Sequence, residues 1–485
     1  MAAGEHAQRE QTQHKHAGEG AGEGAGHHRE LNSSAGGCAA LDSWERGVEN
    51  PGVLVVQKYG GTSVGTLERI RSVAARALER QREGDRVVVV VSAMAGETNR
   101  LIALANELHA IARVAEEGAG GADSKGWIAP VKRGDSGFER ELSQLMSTGE
   151  KVSASLVSMA VQDLGGRAVS LVGHQLGVVT AGSYTNARIL SIDGQHIHAL
   201  LDAGHIVVCA GFQGLDASGN ITTLGRGGSD TSAVALAAAI GAESCEILTD
   251  VDGVYTSDPR VVPSARKLER ISHEEMLELA SLGSKVLQIR SVEFAMKFNV
   301  PVHVRHSQHR EEGTHIVPES PDMEAVLVAG VALDSDEAKI TLTRCPDVPG
   351  TIATVFSVLG ASGVVVDMII QNASREGYTD VTFTVPQADL QRSTELLGEL
   401  ELVCQPGVEL LTDTGIAKIS IVGVGMRTHA GVAARAFTVL AREGVNIQMV
   451  STSEIKVSVV VDEKDGELAL RALHDGFGLG EPADT

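Results

Sequence analysis

The sequence predicts an α/β fold with a mainly parallel sheet, followed by two smaller α/β units that repeat one another. From Val53 onward, apolar strand-like runs such as 86–91 and 206–210 alternate with amphipathic segments. Uniformly apolar strands between helices are typical of a sheet covered on both faces. From Lys339 onward a second pattern recurs, over most of its length with an offset of 81 residues, as from Gly350 to Gly431. The length of 485 residues exceeds what one hydrophobic core normally spans, so two or three domains are expected.

The charge balance argues against two classes of partner. The chain carries 41 basic and 63 acidic residues, a net charge of −22, and such a surface repels the phosphates of nucleic acid and of anionic membranes. No apolar run approaches the roughly 18 residues that a membrane-spanning helix needs. The five cysteines are scattered without a CxxC spacing, which is typical of reduced thiols. We therefore expect a cytoplasmic protein that binds neither nucleic acid nor membrane.

Two segments are expected to lie outside the packed domains. Residues 1–50 are rich in Gly, His, Glu and Gln with almost no large apolar side chains, so they are predicted to be disordered. The histidines of this tail could bind a metal, although a polar tail with incidental histidines is the plainer interpretation. A Gly-, Ala- and Asp-rich stretch at 117–137 is predicted to form a surface loop or lid.

The predicted elements of the first domain follow in chain order. Strand 53–57 precedes helix 67–81 and strand 86–91, and a helical pattern covers 138–164. The later elements are strands at 168–172, 206–210, 245–249 and 302–304 and helices at 231–240, 273–282 and 285–298. This domain is expected to end near Pro321.

The repeat indicates two small regulatory or ligand-binding units. Each copy reads as strand, glycine turn, helix, strand, strand and helix, a βαββαβ-like arrangement. Two copies are too few for a solenoid. The predicted organisation is a disordered tail, a catalytic domain and two regulatory units, at 1–50, 51–321, 322–413 and 414–485.

Two glycine turns predict anion binding. The stretch 225–233 follows a strand and opens an alanine-rich helix, so its backbone N–H groups and the helix N-terminus can face an anion. Arg226 adds a planar group suited to either a carboxylate or a phosphate. The turn 58–63 follows the first strand in the same way, and Lys58 could neutralise a transferring phosphoryl group or extend to solvent. Two anion-binding turns in one domain favour phosphoryl transfer onto an acid.

Three further segments add polar groups at the ends of predicted elements. Ser92 follows a strand, where open α/β sheets bind ligands, or it caps the next helix. Glu150, in the segment 147–151, offers a carboxylate for an ammonium group, or belongs to a solvated helix face. The loop 249–260 suits a nucleotide and its magnesium, or is a loop built from good turn-forming residues.

Together and in this order, the motifs at 58–64, 225–230 and 250–260 resemble those of the aspartate kinases, in the amino-acid-kinase family. The resemblance runs from about Val53 to the C-terminus and is closest to the monofunctional bacterial type with two ACT domains. It implies a three-layer sandwich followed by two ferredoxin-like ACT domains. The implied reaction is ATP-dependent phosphorylation of the side-chain carboxylate of L-aspartate, the first step of lysine, threonine, methionine and diaminopimelate biosynthesis.

The resemblance also implies roles for individual residues. The implied catalytic residues are Lys58, Asp230 and Arg226. The implied aspartate-binding residues are Ser92, Ser147, Glu150, Arg226, Gly227, Gly228 and Ser229. The implied ATP-binding residues are Lys58, Tyr59, Gly60, Gly61, Ser92, Thr249, Asp250, Tyr255, Thr256, Asp258, Pro259, Arg260 and Lys285. Mg²⁺ is expected mainly through the ATP phosphates, with no metal ligands assigned to the protein.

The repeat resembles tandem ACT domains, which implies control by lysine, threonine or both. The implied effector residues are Asp347, Gly350, Asp367, Gln371 and Asn372 in the first unit and Asn446 and Ile447 in the second. Val365 and Ala430 depart from the family pattern at these sites, so the identity and strength of the effector stay open.

The resemblance also implies assembly through the ACT domains. The expected form is a homo-oligomer or a heterotetramer of large and small subunits, and Met323 could start such a small subunit. Two other functions stay open at this point: a related kinase that acts on glutamate, and an amino-acid sensor without catalytic activity.

Overall fold

The computed structural model describes residues 52–118, 136–282, 286–320, 323, 326–372, 377–403 and 405–480, with the backbone alone for 109–118 and 136. The tail 1–50, most of the predicted loop 117–137, and Lys285 lie outside the described residues. Within the described part of the chain, no helix is long and apolar enough to cross a membrane.

An eight-stranded sheet forms the centre of the first domain. Its strands are β1 (Leu54–Tyr59), β2 (Arg86–Val91), β3 (Ala168–Leu171), β6 (Ile206–Ala210), β9 (Ser244–Thr249), β10 (Arg270–Ser272), β11 (Val302–His306) and β12 (Thr314–Val317). They lie in the order β10-β12-β11-β9-β1-β2-β6-β3, and every neighbouring pair is parallel except β11 with β12. The predicted mainly parallel sheet is confirmed.

Helices cover both faces of this sheet. The helices are α1 (Leu67–Arg82), α2 (Glu97–Gly118), α3 (Ser136–Met146), α4 (Thr148–Asp163), α5 (Gln195–Asp202), α6 (Gly228–Ala239), α7 (His273–Ser281) and α8 (Ile289–Phe298). Buried side chains of α1 and α4 pack on one face, and those of α5 to α8 pack on the other. Apolar strands of a parallel sheet are buried when helices cover both of its faces, which gives three layers. A smaller sheet joins β4 (Val178–Ala181), β5 (Arg188–Ile192), β7 (Gln213–Leu215) and β8 (Ile221–Thr223).

Two helices differ from the sequence prediction. The pattern at 138–164 forms α3 and α4 with a break at Ser147, whose hydroxyl donates to the carbonyl of Gln144 at 2.8 Å. This local hydrogen bond competes with helix continuation. Helix α6 begins at Gly228, three residues before the predicted start at 231, because Gly227 adopts a left-handed conformation immediately before it.

The C-terminal repeat forms two four-stranded antiparallel sheets with helices. The first contains β14 (Glu337–Pro346), α9 (Thr351–Ala361), β15 (Ile369–Gln371), β16 (Tyr378–Pro386), α10 (Leu390–Gly398) and β17 (Glu409–Asp413). The second contains β13 (Gly330–Asp334), β18 (Ile416–Val422), α11 (Val432–Arg442), β19 (Met449–Thr452), β20 (Lys456–Asp462) and α12 (Gly466–Gly476). We call them the first and second ACT-like modules. Each contains the predicted strand, turn, helix, strand, strand and helix.

The second module is discontinuous in sequence. Strand β13 lies in the range 322–413 predicted for the first unit, yet it pairs with β18 of the second module. Strand β17 closes the first sheet by pairing with β14. The first module is therefore inserted between two strands of the second. The predicted boundaries at 322 and 414 stay predictions for the division into domains, but the sheet of the second module crosses the one at 414.

The second module contacts the catalytic domain directly. The hydroxyl of Thr256 lies 3.0 Å from Nε2 of His474 on α12, and its carbonyl accepts from the N–H of Val331 at 2.8 Å. Glu275, which caps α7 through Ser272, also accepts a hydrogen bond from the N–H of Val424 at 2.9 Å. Helix α7 and the loop before it thus link the central sheet to the module.

Candidate active site

The candidate site lies where four adjacent parallel strands end. Strands β9, β1, β2 and β6 are neighbours in that order, and the turns that follow them meet at one edge of the sheet. Open α/β sheets bind their ligands outside the carboxyl ends of the strands. Three of the sequence motifs, at 58–63, 92–94 and 249–260, begin at this edge.

Lys58 forms a buried ion pair with Asp230. The lysine, near the end of β1, is 7% exposed, and its ammonium contacts the carboxylate of Asp230 in the first turn of α6. Two predicted motifs that are 172 residues apart in sequence are joined by this pair. A cation held at a helix N-terminus between two glycine turns can contact an anion that enters beside it.

The side chain of Tyr59 points away from the crevice. It is fully buried in the core beside α1 and α4, and its hydroxyl donates to Gln57 at 3.2 Å. Burial raises the pKa of this phenol. The main-chain carbonyl of Tyr59 accepts a hydrogen bond from the N–H of Ser92 at 3.1 Å. The structure therefore does not bring the predicted ATP-binding side chain of Tyr59 to the site, although its main chain fixes the turn after β2.

The glycines at 60 and 61 allow two turns to pack tightly. The N–H of Gly60 donates to the carbonyl of Leu248 at the end of β9, at 3.3 Å. A Cβ on Gly61 would lie only 2.8 Å from the carbonyl oxygen of Ala93, so a larger residue would separate the turns after β1 and β2. Close backbone approach of this kind is a common reason for glycine.

Glu150 is a buried carboxylate beside these turns. It lies in the first turn of α4, is 3% exposed, and accepts a hydrogen bond from the N–H of Ala93 at 3.1 Å through Oε1. Its Oε2 has no hydrogen-bond partner among the described residues. Burial raises the pKa of Glu150 to about 7, against the opposing effect of the Ala93 N–H. A buried carboxylate with one unpaired oxygen is a good acceptor for a ligand ammonium.

Ser147 lies at the break just before the helix that carries Glu150. It is fully buried, its hydroxyl is bonded to Gln144, and its carbonyl accepts from the amide of Gln213 at 3.5 Å. The hydroxyl therefore fixes the break between α3 and α4. Ser92, half-buried, stands on the neighbouring turn.

The N-terminus of α6 forms the opposite wall. Gly227 has a φ of 66°, and a Cβ there would overlap the side chain of Gln288. A Cβ on Gly228 would lie 2.7 Å from the ring of Phe212. Ser229 and Asp230 are both buried in the first turn, whereas Arg226 is exposed just before it. Four of the predicted substrate-binding residues thus lie at or just before one helix N-terminus, namely Arg226, Gly227, Gly228 and Ser229, with Arg226 exposed.

Phe212 is a residue that sequence reasoning missed. It has a φ of 70°, which is strained for a bulky residue, and its N–H donates to the hydroxyl of Ser232 at 3.0 Å. This places the backbone after β6 against the start of α6. The Gly-Phe-Gln-Gly stretch at 211–214, directly after an apolar strand, was the available signal.

The loop after β9 supplies only part of its predicted set. Thr249 and Asp250 stand at the strand end, where the threonine hydroxyl donates to Asp250 at 3.0 Å. The Tyr255 hydroxyl donates to both carboxylate oxygens of Asp252 at 3.1 Å. Asp258 and Arg260 pair with each other at 2.6 Å, and Arg260 keeps the pKa of the Asp258 carboxyl low.

Three other predicted nucleotide contacts have different placements. Thr256 is 1% exposed and bonded to His474, so it serves the contact with the second module rather than the crevice. Pro259 is exposed beside Arg260, which itself is exposed. Lys285 lies outside the described residues.

The predicted effector residues fall into separate groups. Asp347 and Gly350 occupy the turn before α9, where Gly350 has a φ of 104°. Gln371 and Asn372 are exposed at the end of β15, and Asn446 is exposed between α11 and β19, next to the half-buried Ile447. The remaining predicted effector residue, Asp367, differs from these because its carboxylate already forms an ion pair with Lys418.

A pseudo-symmetric pair of lysines joins the two modules. Lys418 of the second module contacts Asp367 of the first at 2.7 Å, and Lys339 of the first contacts Gln448 of the second. Each lysine also faces the aspartate opposite it on the neighbouring strand, Asp334 at 3.5 Å from Lys418 and Asp413 at 3.0 Å from Lys339. The equivalent repeat positions thus make reciprocal contacts across the modules.

Lys418 has one partner that its counterpart lacks. Glu337 lies 2.6 Å from its ammonium, and Lys418 is only 2% exposed. Burial alone would lower the pKa of Lys418, but Glu337 and Asp367 outweigh it, so the pKa is raised. An effector that binds Asp367 must therefore share or displace a buried ion pair.

Comparison with known proteins agrees with this geometry. Residues 53–306 match the model of the amino acid kinase family, and residues 339–402 and 419–477 each match an ACT domain. An aspartokinase of Pseudomonas aeruginosa is 53% identical over 433 residues, covering 89% of this chain and 98% of the relative. An aspartokinase of Helicobacter pylori is 46% identical over 433 residues, covering 88% of this chain and 100% of the relative.

Solved structures give the same result. E. coli aspartokinase III in complex with aspartate and ADP matches with a TM-score of 0.66 at 26% identity, covering 87% of this chain and 99% of that chain. The same enzyme in complex with lysine and aspartate matches with a TM-score of 0.65 at 27% identity, covering 88% of this chain and 99% of that chain. Fold and site together define an amino acid kinase with C-terminal ACT domains. The chain belongs to the aspartokinases.

Proposed function

We propose that the protein transfers the γ-phosphoryl group of ATP to the side-chain carboxylate of L-aspartate, forming 4-phospho-L-aspartate and ADP. The observation that carries this proposal is the buried Lys58–Asp230 pair at the junction of two glycine turns, with the buried Glu150 on the neighbouring turn. The site therefore offers a cation for phosphate and an anion for an ammonium group. Both are needed to bring ATP and an acidic amino acid together.

Aspartate is proposed to bind between α4 and α6. Glu150 would accept the α-ammonium through its unpaired Oε2, and Arg226 with Ser229 would hold a carboxylate at the start of α6. Gly227, Gly228 and the hydroxyl of Ser92 would line the same space. The E. coli structure in complex with aspartate and ADP supports this substrate for the family.

The phosphoryl transfer needs positioning and charge neutralisation rather than a strong base. A carboxylate oxygen of aspartate attacks the γ-phosphorus, the bond from this phosphorus to the bridging oxygen breaks, and ADP leaves with that electron pair. The nucleophile is already ionised, so no proton must be removed. Lys58, aided by the N-terminus of α6, would stabilise the charge on the transferring group, while Asp230 keeps the ammonium in place.

The nucleotide is proposed to lie over the turns at 60–61 and 249–260. Gly60 and Gly61 would approach the phosphates, and Thr249, Asp250, Tyr255, Asp258 and Arg260 would face the remainder. Mg²⁺ would neutralise phosphate charge when bound. The ion is proposed to be held mainly by the phosphates, while the carboxylate of Asp230 pairs with Lys58.

The pathway and its control follow from this activity. The proposed product is the activated intermediate that begins lysine, threonine and methionine biosynthesis, and lysine, threonine or both are the proposed effectors. The E. coli enzyme in complex with lysine supports an amino acid as effector. The three described free cysteines are all buried, as suits thiols of a reducing cytoplasm.

Assembly through the modules is also proposed, as a homo-oligomer or a large- and small-subunit heterotetramer. Exposed apolar side chains lie on the outer strands of both sheets, including Ile369, Leu411 and Val450. Unpaired sheet edges with such side chains favour pairing between chains. A small subunit starting at Met323 stays a prediction, and a C-terminal antibody that detects only the full-length band would contradict it.

A hydroxylamine-trapping assay tests the activity. The full chain is incubated with ATP, Mg²⁺ and aspartate, and aspartyl hydroxamate is expected. Glutamate is run in parallel, because a larger yield with glutamate would identify the other kinase activity. No hydroxamate and no ATP turnover from folded protein would favour the amino-acid sensor instead. Adding lysine, threonine, methionine or lysine plus threonine to the same assay identifies the effector.

A further inference from the structure

Four histidines lie close together in sequence where β11 and β12 meet, at 303, 306, 309 and 315. Two of them and a glutamate come together in space. One ligand atom from each of His303, Glu312 and His315 lies within 4.8 Å of the others. Neither the sequence motifs nor the proposed reaction uses these residues.

The sheet fixes the two imidazoles. His303 and His315 are directly opposite each other in the antiparallel pair of β11 and β12, and their rings stack with centroids 3.8 Å apart. Gly313 approaches the carbonyl of Val304 so closely that a Cβ would overlap it. This tight return of the chain brings Glu312 over the histidines, with its Oε1 3.5 Å from Nε2 of His315.

One of the donor atoms is buried and unused. Nε2 of His303 has no hydrogen-bond partner among the described residues. A buried polar nitrogen without a partner costs free energy, and a ligand would remove that cost. A neutral imidazole nitrogen is the form of histidine that binds metals.

We propose that His303, Glu312 and His315 form a binding site for a divalent transition-metal ion of the Zn²⁺ class. Two imidazoles and one carboxylate are a common ligand set for this class and leave a position for water. Imidazole ligands disfavour Mg²⁺, so the site is distinct in chemistry from the ion that accompanies ATP. The nearby Arg305 is partly neutralised by Glu246 at 3.5 Å.

The site would stabilise one border of the nucleotide crevice. The chain between β11 and β12 begins at Ser307, whose N–H donates to the carbonyl of Thr249 at 2.8 Å. The hydroxyl of Thr314, next to His315, accepts a hydrogen bond from the N–H of Val254 at 2.8 Å. A bound ion would cross-link β11 and β12, the two strands that hold the loop after β9 in place. Metal binding is therefore expected to raise the unfolding temperature of the protein.

Metal titration of the full chain tests the proposal. Protein freed of metal with a chelator is titrated with Zn²⁺ against a chromophoric competitor, and with Co²⁺ while the visible absorption is recorded. One tight equivalent per chain and a Co²⁺ band typical of low coordination are expected. His303→Gln and His315→Gln should each weaken binding by roughly 100-fold or more, and the exposed Glu312→Gln by at least tenfold.

Matched variants separate this site from the other histidines. His309→Gln, in the same loop, should leave the tight equivalent unchanged. So should a tail variant in which His6, His14, His16, His27 and His28 are replaced by Gln. The proposal would be overturned if both His303→Gln and His315→Gln bound metal as tightly as the unchanged chain. Loss of the tight metal equivalent in the tail variant would overturn it as well. Should His303→Gln fail to fold, the two variants of the more exposed His315 and Glu312 decide the matter. Because the readout is metal binding, the result does not depend on kinase activity.

Discussion

Among the residues that the structure describes, two lysines are buried, and they are paired very differently. Lys58 in the crevice has one carboxylate partner, Asp230, whereas Lys418 between the ACT-like modules faces Asp334, Glu337 and Asp367. A single partner leaves a lysine free to contact a second anion, while three partners saturate it. The same residue type is thus proposed to serve a ligand in one place, whereas in the other it fixes a contact between the modules.

Replacing Lys58 should have the largest effect. Lys58→Ala removes the cation that would stabilise the transferring phosphoryl group, so kcat is expected to fall by roughly a thousand-fold or more, about 4 kcal/mol. The hydroxamate assay measures it. Lys339→Ala, a lysine of the first module, is the matched control and should retain basal activity. Near-normal turnover by a folded Lys58→Ala protein would contradict the proposed role.

Replacing Lys418 should affect stability rather than chemistry. Lys418→Met leaves three carboxylates without their cation, and breaking a buried ion pair costs about 3–5 kcal/mol. Urea unfolding should show the second module losing stability, with kcat changed little. Lys339→Met, whose side chain is 20% exposed, is the control and should cost about 1 kcal/mol or less. Equal losses in the two variants would remove the distinction between the two lysines.

The rim of the crevice should separate the two substrates. Arg226→Ala would remove the proposed charged hydrogen bond to aspartate, so KM for aspartate should rise by roughly 10- to 100-fold, about 1.5–3 kcal/mol, with KM for ATP nearly unchanged. Arg260→Ala, on the loop after β9, should instead raise KM for ATP and leave KM for aspartate nearly unchanged. Steady-state kinetics with each substrate varied in turn distinguish the two patterns. A rise in KM for ATP alone in Arg226→Ala would move that residue to the phosphate side.

The smallest expected effect is a pH dependence set by Glu150. Burial raises its pKa to about 7, so the carboxylate proposed to bind the substrate ammonium is formed only as the pH rises through that value. Because kcat/KM reports the free enzyme, this parameter for aspartate should rise about tenfold between pH 6 and pH 8.

Two comparisons check the assignment to Glu150. Glu150→Gln should flatten the profile, and kcat/KM for ATP at saturating aspartate should lack this limb. The raised pKa also stabilises the folded state below about pH 4.5, and this contribution is lost as the pH rises through about 7. An unchanged profile in Glu150→Gln would assign the pH dependence to another group.

The turns of the crevice could be predicted from the sequence because they carry their own signals. Glycines and polar residues at strand ends predicted the turns at 58–63 and 225–230, and the structure joins them through Lys58 and Asp230. The direction of Tyr59 could not be predicted, because β1 is buried along its whole length and has no polar alternation to mark its faces. The contact of Thr256 with His474 spans 218 residues and leaves no local pattern.

The placement of β13 was beyond sequence reasoning for a similar reason. The repeat correctly predicted two copies of the same unit, but a short strand before the first copy pairs with the second. Strand propensity is local, whereas the choice of partner depends on long-range packing. The charged cluster around Lys418, which combines residues of both modules, was hidden for the same reason.

The insertion of the first module into the second has a consequence for synthesis on the ribosome. Strand β13 emerges about 80 residues before its partner β18, which is roughly 4–16 s at typical translation rates. During that interval its edge has no native partner, while β14 to β17 can already complete the first module. Folding is therefore expected to proceed from the inner module outward, and the contact of Thr256 with His474 can form only after α12 has been synthesised.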